Sequence, residues 1–141
     1  MPSFSHSVEL SQPPEAVFPW LLEEDKVPRW TGDLRSYSDD GPLRPGAQVR
    51  QTLDVAGGLT LTMDIVSYDP PRSAETRFET NGVKVESGYR LEPSGAGTML
   101  TQTLEAKAGG LTGRMLIPVV QGRLEKKLTE DLERLRGVLA G

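Results

Sequence analysis

The chain has 141 residues, of which 36% are hydrophobic, and its 16 basic and 20 acidic side chains give a net charge of −4. Nucleic-acid binding and adhesion to an anionic membrane are disfavoured, because both require an excess of basic charge. The absence of cysteine excludes disulfides, thiolate catalysis and cysteine-based metal sites, and it is typical of a reducing compartment.

Hydropathy also bears on location. No apolar run approaches the roughly 20 residues that span a bilayer, and the first residues lack the pattern of a signal peptide. We therefore expect a cytoplasmic protein without integral membrane association. The length suits one domain over residues 1–141.

The first predicted elements are a strand and a short helix. Residues 4–10 alternate between apolar and polar side chains, which is typical of a strand buried on one face. Pro13 and Pro14 then resemble the first turn of a helix. Pro19 and Pro28 keep that helical segment short, because proline removes a backbone donor and crowds the preceding turn.

From residue 34 onward the sequence predicts an antiparallel meander. Glycine- and proline-rich pairs separate short segments that are rich in apolar residues, and these pairs are turn signals. We expect strands at 48–56, 59–68, 73–80, 83–92 and 98–106, with a further strand near 34–38.

Counting residues outward from each predicted turn gives the register of the strands that the turn connects. If Asn81-Gly82 is a two-residue turn, Phe78 opposes Val85 on the apolar face and Ala74 opposes Tyr89. Residues of opposite charge then face each other on the other side, which favours this register.

The Gly57-Gly58 pair predicts a second hairpin with two possible registers. A two-residue loop would pair Leu53 with Thr62, whereas a three-residue loop pairs Leu53 with Leu61. We favour the three-residue loop, because it keeps the apolar face intact.

An apolar stripe at three- and four-residue spacing predicts one long C-terminal helix, kinked or begun at Pro118. The segment before it, Gly109–Arg114, lacks the full pattern of a phosphate-binding loop and is interpreted as the start of the helix or as a hinge. The charged residues between the leucines are interpreted as a solvated face. The stripe consists of Leu116, Val120, Leu124, Leu128, Leu132, Leu135 and Leu139.

This order of elements resembles the SRPBCC or START-like superfamily, which includes polyketide cyclase/dehydrase-like proteins. The stretches EAVFPWLLEEDKVPRW, MDIVSYDPPR and GTMLTQTLEA carry the resemblance, which covers Phe4 to Leu139. It implies an α+β helix-grip fold, in which a curved antiparallel sheet of about seven strands wraps a long C-terminal helix and leaves a cavity between them. It also implies that Trp30 lies near the cavity mouth. Trp20 is interpreted as a packing residue, and both rings could instead fill the seam between the short helices and the sheet.

Six polar residues fall on the otherwise apolar face of the predicted sheet, and a buried polar group without a partner costs about 1–3 kcal/mol. They form either a core network or the polar anchors of a ligand cavity, which is usually apolar with a few convergent polar groups. Tyr89 and Gln102 become neighbours if Ser94–Gly97 is a four-residue loop. With Trp30 and the apolar residues expected to contact a ligand, the candidate site comprises Trp30, Tyr89, Gln102, His6, Gln51, Thr76, Ser87, Phe78, Met63 and Leu53.

Three functions are compatible with these residues. The first is binding or carriage of a small hydrophobic molecule, with no cofactor, by a monomer or homodimer. The second is a polyketide cyclase or dehydratase, in which Tyr89 or His6 supplies a proton. The third is a protein-interaction module resembling heat-shock ATPase activators. With one histidine and no HxxxH or HxH spacing, the sequence predicts no metal site.

Overall fold

In the computed structural model, the described part of the chain folds into seven antiparallel strands and a long helix. The described residues are 3–32, 34–39, 41–54, 58–80, 82–108 and 110–140, without the side chains of residues 112, 113, 116, 119 and 120. The strands are β1 (Ser3–Leu10), β2 (Leu34–Asp39), β3 (Gln48–Leu53), β4 (Leu59–Asp69), β5 (Ser73–Thr80), β6 (Val83–Ser94) and β7 (Gly97–Ala108). The helices are α1 (Pro14–Val17), α2 (Pro19–Leu22), a 3-10 turn (Val27–Arg29) and α3 (Leu111–Ala140).

The strands form one sheet in the order β1-β7-β6-β5-β4-β3-β2. The meander of β2 to β7 therefore runs across the sheet in sequence order, and β1 returns to its far edge to pair with β7. This is the α+β helix-grip fold that the resemblance implied, with a curved sheet gripping α3, and the prediction is confirmed.

The hairpin between β5 and β6 has the predicted register. Phe78 pairs with Val85 and Ala74 with Tyr89, and Gly82 has a φ of 78° that favours glycine. Asn81, the other turn residue, lies outside the described residues.

Between β6 and β7 the predicted pairing also holds, although the turn is tighter than expected. Tyr89 pairs with Gln102, as the four-residue loop required. The ladder continues to Ser94 and Gly97, so that the turn itself consists of Gly95 and Ala96. Gly95 has a φ of 60°, which suits such a turn.

The register predicted for β3 and β4 is wrong by two residues. Leu53 pairs with Leu59 rather than with Leu61, and Gln51 takes Leu61 as its partner. Because side chains alternate with a period of two, a two-residue shift leaves every residue on its predicted face. The apolar pattern therefore cannot distinguish the two registers. Gly58 has the predicted positive φ, 115°, while Gly57 lies outside the described residues.

Helix α3 packs its leucine stripe into the core and runs through Pro118 instead of beginning there. Leu128, Leu132 and Leu135 are all buried, as the stripe predicted. The side chains of Leu116 and Val120 lie outside the described set. Among the described residues, no helix has both the length and the hydropathy to cross a bilayer.

Candidate ligand cavity

A cavity of about 110 Å³ lies between the sheet, the short helices and α3. Leu21 and Leu22 of α2 and Val27 of the 3-10 turn border it on one side, while Leu124 and Leu128 of α3 border it on another. Apolar atoms form most of its lining, and polar side chains enter the wall from the sheet and from α3.

The sheet supplies most of the wall residues that the sequence predicted. Five of the predicted polar residues lie on it, namely Gln51, Thr76, Ser87, Tyr89 and Gln102. Three predicted apolar or aromatic residues, Trp30, Met63 and Phe78, also border the cavity. The sheet residues meet because the strand alternation and the β5–β6–β7 registers put them on one face.

Ser87, Tyr89 and Gln102 form a sheet cluster at one part of the wall. Gln102 Nε2 donates a hydrogen bond to Ser87 Oγ at 3.0 Å, and Tyr89 lies opposite Gln102 across the β6–β7 ladder. Burial raises the pKa of the Tyr89 phenol, the Asp131 carboxylate raises it further, and a hydrogen bond with Gln102 opposes the rise. Tyr89 is therefore a neutral hydroxyl at physiological pH and can donate a hydrogen bond into the cavity.

Tyr37 is a wall residue that the sequence analysis missed. Its hydroxyl donates to the backbone oxygen of Leu22 at 2.7 Å, and the ring borders the cavity. Burial raises its pKa, and the nearby Tyr89, Asp39 and Glu24 raise it further. Tyr37 pairs with Gln51, a predicted site residue, across β2 and β3. A predicted pairing of β2 with β3 would therefore have identified Tyr37 as a wall residue.

The two tryptophans have different positions. Trp30 is 3% exposed, lines the cavity and donates its indole N–H to the backbone oxygen of Trp20 at 2.8 Å. Trp20 is only partly buried and packs against the core, and the guanidinium of Arg29 lies 4.8 Å from its ring centroid. Its ring is not among the described cavity residues.

A second polar group on the wall, the helix cluster, consists of Lys127, Asp131 and Arg134 of α3. Asp131 is 7% exposed and accepts hydrogen bonds from Lys127 Nζ at 2.7 Å and from Arg134 Nη1 at 3.1 Å. It also accepts from the backbone N–H of Gly32 at 2.9 Å. Asp131 and Lys127 border the cavity, whereas Arg134 is not among its described lining residues.

The helix cluster holds residues 30–32, here called the 30–32 loop, against α3. Lys127 donates to the backbone oxygen of Gly32 at 2.7 Å, and Arg134 donates to that of Trp30 at 3.3 Å. The sequence analysis missed this cluster, because the charged residues of α3 were interpreted as a solvated face. The spacing of residues 127, 131 and 134, which puts them on one helix face, was the available signal.

Two predicted site residues lie away from the described cavity wall. His6 is on the edge strand β1, where its Nε2 lies 3.3 Å from Glu133 Oε2 of α3. Leu53 is buried in the core at the end of β3, next to the loop that leads to β4. His6 pairs with Gln102 and therefore shares the face of that wall residue, but it lies one strand farther across the sheet, at the edge. Leu53 lies two residues beyond Gln51 along β3 and is not among the described wall residues. Within the described residues, no group of three or more His, Asp or Glu side chains has the arrangement of a metal site.

Comparisons with known proteins agree with the fold. The family model described as "Polyketide cyclase / dehydrase and lipid transport" matches residues 1–140. Uncharacterized proteins of Mycobacterium bovis and Mycobacterium tuberculosis are 25% identical over 94% of this chain and 81% of theirs.

Solved structures of similar shape share little sequence with the chain. The crystal structure of TTHA0849 from Thermus thermophilus has a TM-score of 0.79 at 15% identity, covering 99% of this chain and 97% of that one. Ara h 8.0201 has a TM-score of 0.78 at 15% identity with the same coverage. The di-domain ARO/CYC protein BexL, from the BE-7585A biosynthetic pathway, has a TM-score of 0.78 at 16% identity over 97% of this chain and 46% of its own.

Proposed function

Because the chain belongs to the polyketide cyclase/dehydrase and lipid transport family, we propose that it binds a small, largely apolar molecule in the cavity between the sheet and α3. The observation that carries the proposal is the wall itself. Aliphatic and aromatic side chains surround the sheet cluster of Ser87, Tyr89 and Gln102. Apolar walls with a few convergent polar groups are typical of small-molecule sites.

The volume of the cavity limits the ligand. Sites for drug-sized molecules usually measure about 300–1,000 Å³, whereas this cavity has about 110 Å³. An apolar cavity of about 150 Å³ accepts benzene. The cavity in this conformation is smaller than that, so a ligand with one ring or more requires its walls to separate.

The sheet cluster would orient the ligand. The neutral Tyr89 hydroxyl donates a hydrogen bond, and the Gln102 carboxamide offers both a donor and an acceptor. A ligand with one hydroxyl or carbonyl group would pair with them, while Met63, Phe78 and Leu104 contact its apolar part.

The 30–32 loop is the segment whose release would widen the cavity. It carries Trp30, which lines the wall, and it is held by hydrogen bonds from the side chains of the helix cluster. These bonds are partly exposed to water, which lowers the free energy needed to break them. Opening at this place would uncover the cavity without disturbing the β-ladder.

The proposal is tested by native mass spectrometry of the purified protein, followed by binding assays with the ligand that is retained. Tyr89→Phe should weaken binding by about 1 kcal/mol, or roughly fivefold, because the ligand loses one hydrogen bond. Tyr68→Phe is the matched control, since Tyr68 lies on the sheet but borders a different cleft. Equal affinities of Tyr89→Phe and the parent protein, with folding intact, would make the sheet cluster a structural network only.

Catalysis is a separate hypothesis that the geometry favours less than binding. Burial raises the pKa of Tyr89, which makes its phenol a weaker acid. His6, the other proton donor considered, lies beside Glu133 at the edge strand. A cyclase would need to draw its acid from other groups on the wall.

A further inference from the structure

Gln121 of α3 is buried, and its side-chain nitrogen makes no hydrogen bond within the described residues. The residue is 8% exposed, and its Nε2 has no hydrogen-bond partner among the residues that the structure describes. A buried donor without a partner costs about 1–3 kcal/mol, whereas an apolar side chain of similar size at this position would avoid the cost. A hydrogen-bond acceptor from outside the described chain would remove this cost.

The helical phase places Gln121 on the cavity side of α3. Seven residues separate it from Leu128, so the two side chains lie within roughly 20° of each other around the helix axis. Leu124, one turn beyond Gln121, and Leu128 both line the cavity. Gln121 thus continues the same wall by one turn, about 5 Å along the axis, past the point where the cavity ends in this structure.

We infer that Gln121 is a ligand-anchoring residue, whose amide N–H binds an uncharged oxygen acceptor at the end of the ligand that lies farthest along α3. This inference rests on the proposed function and specifies its ligand class: an elongated, largely apolar molecule with a ketone, ester or ether oxygen near one end. The ligand occupies the present cavity and extends it by one helical turn, which agrees with the small volume of the cavity.

The charges of the wall favour a neutral acceptor over a carboxylate. Gln121 contributes a dipole but no positive charge. Among the described wall residues, the basic side chain is Lys127, and its ammonium already donates to Asp131 and to the backbone oxygen of Gly32. A carboxylate beside Gln121 would be desolvated without a counter-ion, which is far more costly than burying a carbonyl group.

The test uses two elongated probes of matched shape, 4-phenyl-2-butanone and butylbenzene, which differ by one carbonyl group near one end. Each is titrated into the parent protein and into Gln121→Met, which keeps the side-chain length but removes the donor. The parent protein should prefer 4-phenyl-2-butanone, and Gln121→Met should reduce that preference roughly three- to tenfold, the value of one hydrogen bond. In NMR spectra, the side-chain amide signal of Gln121 should move with 4-phenyl-2-butanone and not with butylbenzene.

Gln12→Met is the matched control. Gln12 also has a buried amide atom without a partner in the described chain, but it lies in a different cleft near the β6–β7 turn. Its substitution should leave the preference for 4-phenyl-2-butanone unchanged. If both probes move the signals of Tyr89 and Leu128 while Gln121→Met keeps the full preference, the assignment of Gln121 is overturned and the proposed function stands. If neither probe binds, both are rejected.

Discussion

The two polar groups on the cavity wall differ in how they are built. The members of the sheet cluster lie on neighbouring strands of one hairpin, and its hydrogen bond joins residues 15 positions apart. The helix cluster instead binds the 30–32 loop across 99 residues, through the bond from Gly32 to Asp131. The sheet cluster is neutral, whereas the helix cluster is charged and binds the 30–32 loop to α3. Under the proposed function, the local pairing would orient the ligand and the long-range pairing would keep the cavity closed.

The largest effect is expected at the leucine that supports the helix wall. Leu128 is 4% exposed and borders the cavity, so Leu128→Ala should lower the free energy of unfolding by about 2–5 kcal/mol. Urea denaturation measures this change. Leu111→Ala is the control on the same helix, because Leu111 is exposed and should change stability by less than about 0.5 kcal/mol. Similar values for the two variants would mean that α3 is not docked on the sheet as described.

Removal of the Asp131 carboxylate should have the next largest effect. Asp131→Ala removes the acceptor of the Gly32 N–H and the carboxylate partner of the Lys127 ammonium, so the free energy of unfolding should fall by about 2–3 kcal/mol. Hydrogen exchange at Gly32 should also become faster, because the 30–32 loop is released. Glu130→Ala, at an exposed neighbouring position, is the control. Unchanged exchange at Gly32 would show that the loop does not depend on the helix cluster.

Buried Tyr37 and partly buried Tyr89 predict a loss of stability at alkaline pH. The unfolded chain releases the phenol proton near the ordinary tyrosine pKa of about 10, whereas burial raises the pKa of Tyr89 and of Tyr37 in the folded state. Their contribution is therefore complete below about pH 10 and is lost above it, at up to about 1.4 kcal/mol per pH unit for each group. The difference in free energy of unfolding between the parent protein and Tyr89→Phe should be constant below that pH and change only above it. A difference that stays constant above that pH would indicate that the Tyr89 phenol is open to solvent.

The smallest effect is expected in the sheet cluster. Ser87→Ala removes the acceptor of Gln102 Nε2, but the amide borders the cavity, where water or Tyr89 can replace the lost partner. The free energy of unfolding should fall by only about 0.5–1 kcal/mol. Ser67→Ala, in an exposed pair with Glu75, is the control and should have no measurable effect. A loss as large as that of Asp131→Ala would remove the distinction between the two clusters.

The predicted strand registers and site residues differ in how far local sequence was sufficient to place them. Asn81-Gly82 was sufficient to place Phe78 against Val85, because a two-residue turn leaves no freedom in the register. The Gly57-Gly58 hairpin was shifted by two residues, since a longer loop satisfies the same alternation. Eight of the ten candidate site residues lie on the cavity wall. Leu53 does not, because a shared face does not fix the position along a strand. His6 does not, because β1 is the edge strand and lies one strand beyond Gln102.

By itself, the sequence determined the order of the elements, the buried face of each strand and the leucine stripe of α3, because these follow from side-chain periodicity and from glycine and proline at turns. Only the tertiary structure decided where the cavity lies along those faces, that Asp131 is buried by Lys127 and the 30–32 loop, and that Gln121 is buried without a partner in the described chain. These features depend on contacts between segments about a hundred residues apart in the chain. Periodicity specifies which side of an element is buried, but the partner it meets there depends on how the elements pack in three dimensions.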